Sequence, residues 1–362
     1  AILVGRLGPF EGQTAAAVTM FGFTIELGVI ISAVLLLVVE GVRGTGHGAA
    51  ALFRRMQRKP AATPQESQES PKTEADVAAP PLPRRAFLTR AASGSAMLIG
   101  GSSSLYGSLF GRHDYQIEEV PVPIPNLPRS LDGYTIVQLS DIHFGTFVGD
   151  AELEAAVEHV RLARPDLVVL TGDLVDHDAA YAPYLGRLVR RLNELGRDGV
   201  AMIPGNHDYY AGVAEVLAAA EGGGAEVLVN GSRLIGDRGG QFALVGIDDV
   251  WTGRNGFDGG PDLDRALLTV PDDMPRVLLC HNPVFFPEAA GRVDLQLSGH
   301  THGGQVNLVV NPAEVVLPYG YVAGLYERGG STLYVNRGFG TAGPPSRVGS
   351  PPEITKLILT AA

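Results

Sequence analysis

From residue 115 onward, short apolar runs alternate with clusters of polar residues, and this alternation restricts the fold more than any other feature of the chain. Ile136 to Leu139, Leu167 to Leu170, Ala201 to Ile203, Val277 to Leu279 and Leu295 to Leu297 are rich in Val, Ile and Leu and read as buried strands. Amphipathic helical stretches lie between them. Asp150 is placed as the N-cap of a helix through about Ala163, with Leu153, Val157 and Val160 as its apolar stripe and Pro165 as its stop. Tyr181 to Leu195 reads as another helix. The pattern is that of an α/β domain over residues 115–362, without internal repeats.

Each strand is followed by residues that bind metals well. Asp141-Ile142-His143 follows the first, Gly172-Asp173-Leu174-Val175-Asp176 the second and Gly205-Asn206-His207-Asp208 the third. His281 follows the fourth, and Gly299-His300-Thr301-His302 the fifth. Side chains beyond the carboxyl ends of strands in an open α/β sheet converge even when distant in sequence. Gly172, Gly205 and Gly299 permit the sharp turns this needs. Singly, a Gly-Asp or Asp-x-His is a turn by default; five such groups, each after a strand, specify a site. We therefore expect two packed mixed β-sheets flanked by helices, with the ligands gathered at one end of the strands.

These blocks resemble the calcineurin-like metallophosphoesterase superfamily, whose pattern is D-x-H, G-D-x-x-D, G-N-H-D/E, H and G-H-x-H. The likeness covers about Tyr115 to Ala362. It implies that Asp141, His143 and His302 hold one divalent ion, that Asn206, His281 and His300 hold a second, and that Asp173 bridges them. Imidazole, carboxylate and amide ligands without thiolate suit Mn, Fe or Zn. Two such ions roughly 3.5–4 Å apart share a hydroxide that attacks phosphorus in line. The resemblance thus implies a two-metal-dependent phosphoester hydrolase. His207 is not needed in either shell and is free to protonate the leaving oxygen. Asp176 is the partner that the family pattern uses to orient it, the alternative being a turn carboxylate.

Asp208 reads as a turn residue, and so does Asn282 before Pro283. His177 stands where some phosphatase branches carry a phosphate-gripping arginine, which argues against a protein phosphatase. Gly303, Gly304 and Gln305 read as a tight loop under the metals. Asn336 to Gly340 and Arg347 resemble the closing strand and loop of the bacterial branch, with Arg337 and Arg347 expected in surface pairs. Val250 to Pro261 is the candidate specificity loop.

Ahead of the domain lies a different texture. The chain opens on Ala1 inside the apolar stretch to Val4 and reads as a fragment lacking its start. Thr14 to Val39 is long enough to cross a bilayer and is interrupted only by Glu26, expected against another helix or near the interface. Residues 1–40 thus form a transmembrane region. Residues 41–83 read as a linker, basic at Arg43, Arg54, Arg55, Arg58 and Lys59 and then rich in Pro, Ser and Glu. Residues 84–112 open on Arg84-Arg85-Ala86-Phe87-Leu88 and resemble a twin-arginine export signal, or else a second membrane anchor. With the positive-inside rule, this puts the linker in the cytoplasm and the catalytic domain on the outer side of the cell membrane.

Charge narrows the substrate. Residues 41–92 carry nine basic and four acidic side chains, so the net −11 of the whole chain leaves the remainder at −16. An acidic body without a basic stripe argues against nucleic acid, and so against the nuclease alternative. The expected partners are a phosphoester substrate, of lipid-linked, cell-envelope or small-molecule type, and the membrane through the N-terminal helices; nothing specifies a protein partner. The complete ligand set weighs against a membrane-tethered module without turnover. Cys280 is the single cysteine, so no internal disulfide is available.

Overall fold

The computed structural model describes residues 9–56, 83–254, 256–308 and 311–362. Helix α1 (Pro9–Met56) contains Ala16–Val42, the one segment among the described residues long and apolar enough to cross a membrane. Glu26 is exposed on it rather than packed against a helix. Helix α1 runs on to Met56, past residue 41 where the linker is expected to begin, in spite of Gly41, Gly44, Gly46 and Gly48. Residues 57–82, with Arg58, Lys59 and the Pro-rich tract, lie outside the described residues, as do Ala1 to Val4.

Helix α2 (Arg84–Leu109) owes its modest hydropathy to Gly and Ser. Those small residues let two helices approach closely. A Cβ on Gly100 would sit 2.2 Å from Ser32 Oγ, and Ser104 Oγ donates to Thr24 O at 2.7 Å. Thr24–Leu105, which holds most of both helices, forms one compact unit, and the catalytic body belongs to the other.

The catalytic body is built on two six-stranded mixed sheets. Its elements in chain order are β1 (Gln116–Ile124), β2 (Tyr134–Leu139), α3 (Asp150–Ala163), β3 (Leu167–Thr171), α4 (Ala182–Leu192), β4 (Val200–Ile203), α5 (Asn206–Gly223) and β5 (Ala225–Val227). There follow β6 (Gly231–Asp237), β7 (Gly240–Gly246), α6 (Leu263–Leu267), β8 (Arg276–Leu279), α7 (Phe286–Ala289), β9 (Leu295–Ser298), α8 (Ala313–Val316), β10 (Gly324–Arg328), β11 (Ser331–Val335) and β12 (Glu353–Ala361). One sheet runs β1-β12-β2-β3-β4-β5 and the other β10-β11-β9-β8-β7-β6. β2 through β5 are mutually parallel, as are β7, β8, β9 and β11, while β12 lies antiparallel to β2.

Period-two alternation explains why the strands are apolar throughout. Leu167 and Val169 point into the layer between the sheets, where they meet Leu244, Val277, Leu279, Leu295 and Leu297. Val168 and Leu170 point the other way, into the layer under α3, α4 and α5. A strand covered on both faces has no polar position to spare. Helix α3 begins one residue earlier than the Asp150 cap implies: Gly149 is the N-cap and its N–H is accepted by Glu152 Oε2 at 2.9 Å, with Asp150 already helical. The helix expected over Tyr181 to Leu195 is shorter, Ala182–Leu192, and is entered through a 3-10 turn.

Candidate metal centre

The loops that leave β2, β3 and β9 hold their donors in an unusual backbone conformation. Asp141, His143, Asp173, His300 and His302 all have φ between +52° and +71°. Non-glycine residues avoid this left-handed region, at a cost of roughly 1–2 kcal/mol each. Such strain persists only where neighbours over-determine it, and it concentrates at functional sites. Here the loops after β2 and β3 bind each other: Asp141 N–H donates to Gly172 O and His143 N–H to Asp173 O, both at 3.0 Å. Glycines provide the clearance. A Cβ on Gly172 would lie 2.7 Å from His281 Nδ1, one on Gly205 2.3 Å from Asp173 Oδ1, and one on Gly299 2.2 Å from Asp141 Oδ2.

The side chains form two groups around one carboxylate. In the first, His302 Nε2 lies 3.1 Å from His143 Nε2 and 3.4 Å from Asp141 Oδ1. In the second, His281 Nε2 lies 3.2 Å from both Asp173 Oδ2 and His300 Nδ1. Asp173 Oδ2 is also 3.8 Å from His143 Nε2, so it faces both groups. Its other oxygen accepts the His207 N–H at 2.8 Å. Asn206 opens α5 between these points, and its Oδ1 is buried without a hydrogen-bond partner.

This geometry fits a pair of cations. Pairs of ring nitrogens at 3.1–3.2 Å bring possible ligand atoms together, and an orphaned amide oxygen is costly to bury. His281 Nδ1 donates to Thr171 O at 2.8 Å, the usual outer support of a ligand imidazole, and this turns its Nε2 toward Asp173. Burial and the charge of His281 depress His300 to about 3, and burial with His143 and Arg347 holds His302 well below the usual range. Both therefore stay neutral, as ligands must. Burial would raise Asp173, yet His281, His143 and His207 hold it anionic. Burial raises Asp141.

His207 is half-buried, its ring 4.6 Å from that of His143. Its Nδ1 lies 3.1 Å from Asp176 Oδ1, which also faces His143 Nδ1 at 3.3 Å and His177 Nδ1 at 2.7 Å. Asp176 thus gathers imidazoles rather than acting as a turn carboxylate. Burial would raise Asp176, but hydrogen bonds from His143 and His207 hold it below the ordinary carboxylate range. Burial would lower His207, but Asp176 and Asp173 outweigh that and raise it. His207 also lies within ligand distance of His143 and Asp173.

Other expectations resolve plainly. Asp208 is a structural turn residue, buried, accepting the N–H groups of Leu174, Val175 and Gly205. Asn282 Oδ1 accepts Val284 N–H, closing the Asn-Pro turn. Gly303 to Gln305 form a tight turn with positive φ throughout. Arg337 is paired, with Glu118 and Glu353. Arg347 is not the surface residue expected: it is 1% exposed and donates to the carbonyls of Gly340, Gly338 and Ser350, behind His302. Burial pushes its pKa down to about 10. No acidic partner in the sequence signals this role, because its acceptors are main-chain oxygens. Asp249, also missed, is buried beside Asn206 in the cleft next to the donors.

Comparison with known proteins agrees with the geometry. Residues 134–304 match the family described as calcineurin-like phosphoesterase. The chain is 32% identical to the uncharacterized metallophosphoesterase YkuE of Bacillus subtilis over 77% of this chain and 98% of that protein. It is 35% identical to the transmembrane protein with metallophosphoesterase domain of Bos taurus, over 74% of this chain and 62% of that one. Over 67% of this chain and 63% of its relative, it is 36% identical to the uncharacterized metallophosphoesterase Cj0846 of Campylobacter jejuni.

Proposed function

Because the chain belongs to the calcineurin-like metallophosphoesterases and is a metal-dependent phosphoester hydrolase, we propose that it is a two-metal phosphodiesterase acting on a lipid-linked or other cell-envelope phosphoester. The observation that carries the two-metal reading is Asp173 Oδ2, which faces a donor group on either side. Asp141, His143 and His302 would hold one ion and Asn206, His281 and His300 the other, with the Asp173 carboxylate facing both groups. Bound there, divalent ions lower the pKa of water and offset charge on the phosphoryl oxygens. Mn, Fe or Zn suits the donor set.

The remaining work falls to His207 and Asp176. Nδ1 of His207 is held by Asp176, so Nε2 is the atom that delivers a proton to the leaving oxygen. Asp176 fixes the ring and, with Asp173, raises its pKa against the effect of burial. The lipid side of the proposal draws support from the membrane-length segment Ala16–Val42. It draws further support from Val315 and Val316, exposed at 88% and 79% on α8, whose loop is tied to Gly303 by Asn311 Nδ2. The test is release of phosphate or alcohol by the purified full chain with added Mn or Zn, across phosphomonoesters, phosphodiesters, pyrophosphates and lipid phosphates. Diesters are expected to be preferred, and a preference for pyrophosphates would overturn the assignment.

For topology, the proposal is a cytoplasmic linker, an extracytoplasmic catalytic domain and export directed by Arg84 and Arg85. Externally added protease should cleave the domain on spheroplasts, and replacing Arg84 and Arg85 by Lys should retain it inside. Protection of the domain in the unaltered chain would reverse the orientation.

A further inference from the structure

Beside His207 stands an aromatic wall that the chemistry above leaves unused. Tyr209 and Tyr210 come from the first turn of α5, directly after Asn206 and His207, whereas Trp251 and Phe257 come from the segment between β7 and β8. The Tyr210 ring stands edge-on to the His207 ring at 5.5 Å. Phe257 meets Tyr209 at 5.4 Å and Tyr210 at 6.2 Å. With Asn206 and Asp249, these four rings close around a crevice too narrow for a water molecule, so a ligand would meet their outer faces.

The wall is anchored from behind and open in front. Tyr209 OH donates to Asp248 Oδ1 at 2.5 Å, and Asp248 Oδ2 accepts Gly260 N–H at 2.9 Å, which ties α5 to the far end of the loop. Tyr210 and Trp251 nevertheless expose 46% and 38% of their surface. Asp249 is buried beside these rings, and its carboxylate would repel a second anion placed against them.

We propose that Tyr210, Trp251 and Phe257 form the subsite for the leaving alcohol, and that this alcohol carries a flat ring and no further anionic group. The inference rests on the reading of His207 as proton donor, since the oxygen that takes its proton must lie on the Tyr210 side. Flat rings bind aromatic faces through offset or edge contacts that an alkyl chain does not make.

The test uses the full chain with added Mn and phosphodiesters of methanol with either benzyl alcohol or n-heptanol. These two alcohols have equal carbon number, proton donation to the leaving oxygen mutes the somewhat greater acidity of benzyl alcohol, and release of each is measured. Benzyl alcohol is expected to be released with a kcat/KM about tenfold higher, the size of a single stacking contact. In Trp251→Ala and Tyr210→Ala the ratio should fall to within about twofold of unity, while Trp251→Phe and Tyr210→Phe should retain most of it. Bound metal should be unchanged in all four variants. Equal release of both alcohols by the unaltered chain, a ratio untouched in both Ala variants, or loss of metal from them would overturn the subsite. Failure of the proton-donor reading shows elsewhere, as His207→Ala losses that do not depend on the leaving group.

Discussion

Asp173→Asn is expected to empty both donor groups at once and to reduce turnover of every substrate by about 10³-fold or more. Its Oδ2 faces His281 at 3.2 Å and His143 at 3.8 Å, so one neutral amide removes the anionic charge shared by the two sides. Charge stabilisation by bound metal is worth several kcal/mol, and each 1.36 kcal/mol is tenfold in rate. The amide also changes the acceptor for the His207 N–H, now held at 2.8 Å by Oδ1. Metal content of the purified variant, measured by elemental analysis beside its activity, decides the point. Two ions retained per chain would remove Asp173 from the bridging position.

His207→Ala should separate chemistry from metal binding. Metal content is expected to persist, while hydrolysis of alkyl esters falls roughly 10²–10⁴-fold, the range of general acid catalysis. Aryl esters, which leave as stable anions, should suffer less. The pH dependence has a definite sign. The carboxylates of Asp176 and Asp173 raise His207 against the effect of burial, so the protonated ring survives to higher pH than usual. The acid form is fully present below that value and is lost as pH rises through it, so alkyl-ester turnover should decline on the alkaline side. His207→Ala should abolish that decline. Equal losses for aryl and alkyl esters would assign His207 to phosphate binding, and loss of metal would make it a ligand.

The candidate donors were legible because each follows its strand within four residues and all but His281 have a glycine or another candidate ligand close by. Asp141, His143, Asp173, Asn206, His281, His300 and His302 could be named without knowing how the sheets pack, since parallel strands deliver their ends to one place. Arg347 was not legible, because it serves main-chain carbonyls and nothing in a sequence marks a carbonyl as buried. The aromatic wall was hidden for another reason. Tyr210 and Trp251 belong to segments whose meeting depends on how α5 and the loop after β7 approach each other, and aromatic residues in a loop carry no period. Gly149 was missed as a cap because Asp150 beside it is the better capping residue by type. Helix α1 outruns the predicted span since hydropathy marks where a lipid-facing stretch ends, not where the hydrogen-bond ladder does.

Strand β12, Glu353–Ala361, lies inside its sheet, hydrogen-bonded to β1 on one side and to β2 on the other. His143 and His302, which share one donor group, stand 159 residues apart. During synthesis, then, the ribosome releases nearly the whole domain before its first sheet can close and before either donor group has all its members. A nascent chain has neither donor group complete until His300 and His302 are made, and one cut short ahead of β12 still lacks the strand that joins β1 to β2.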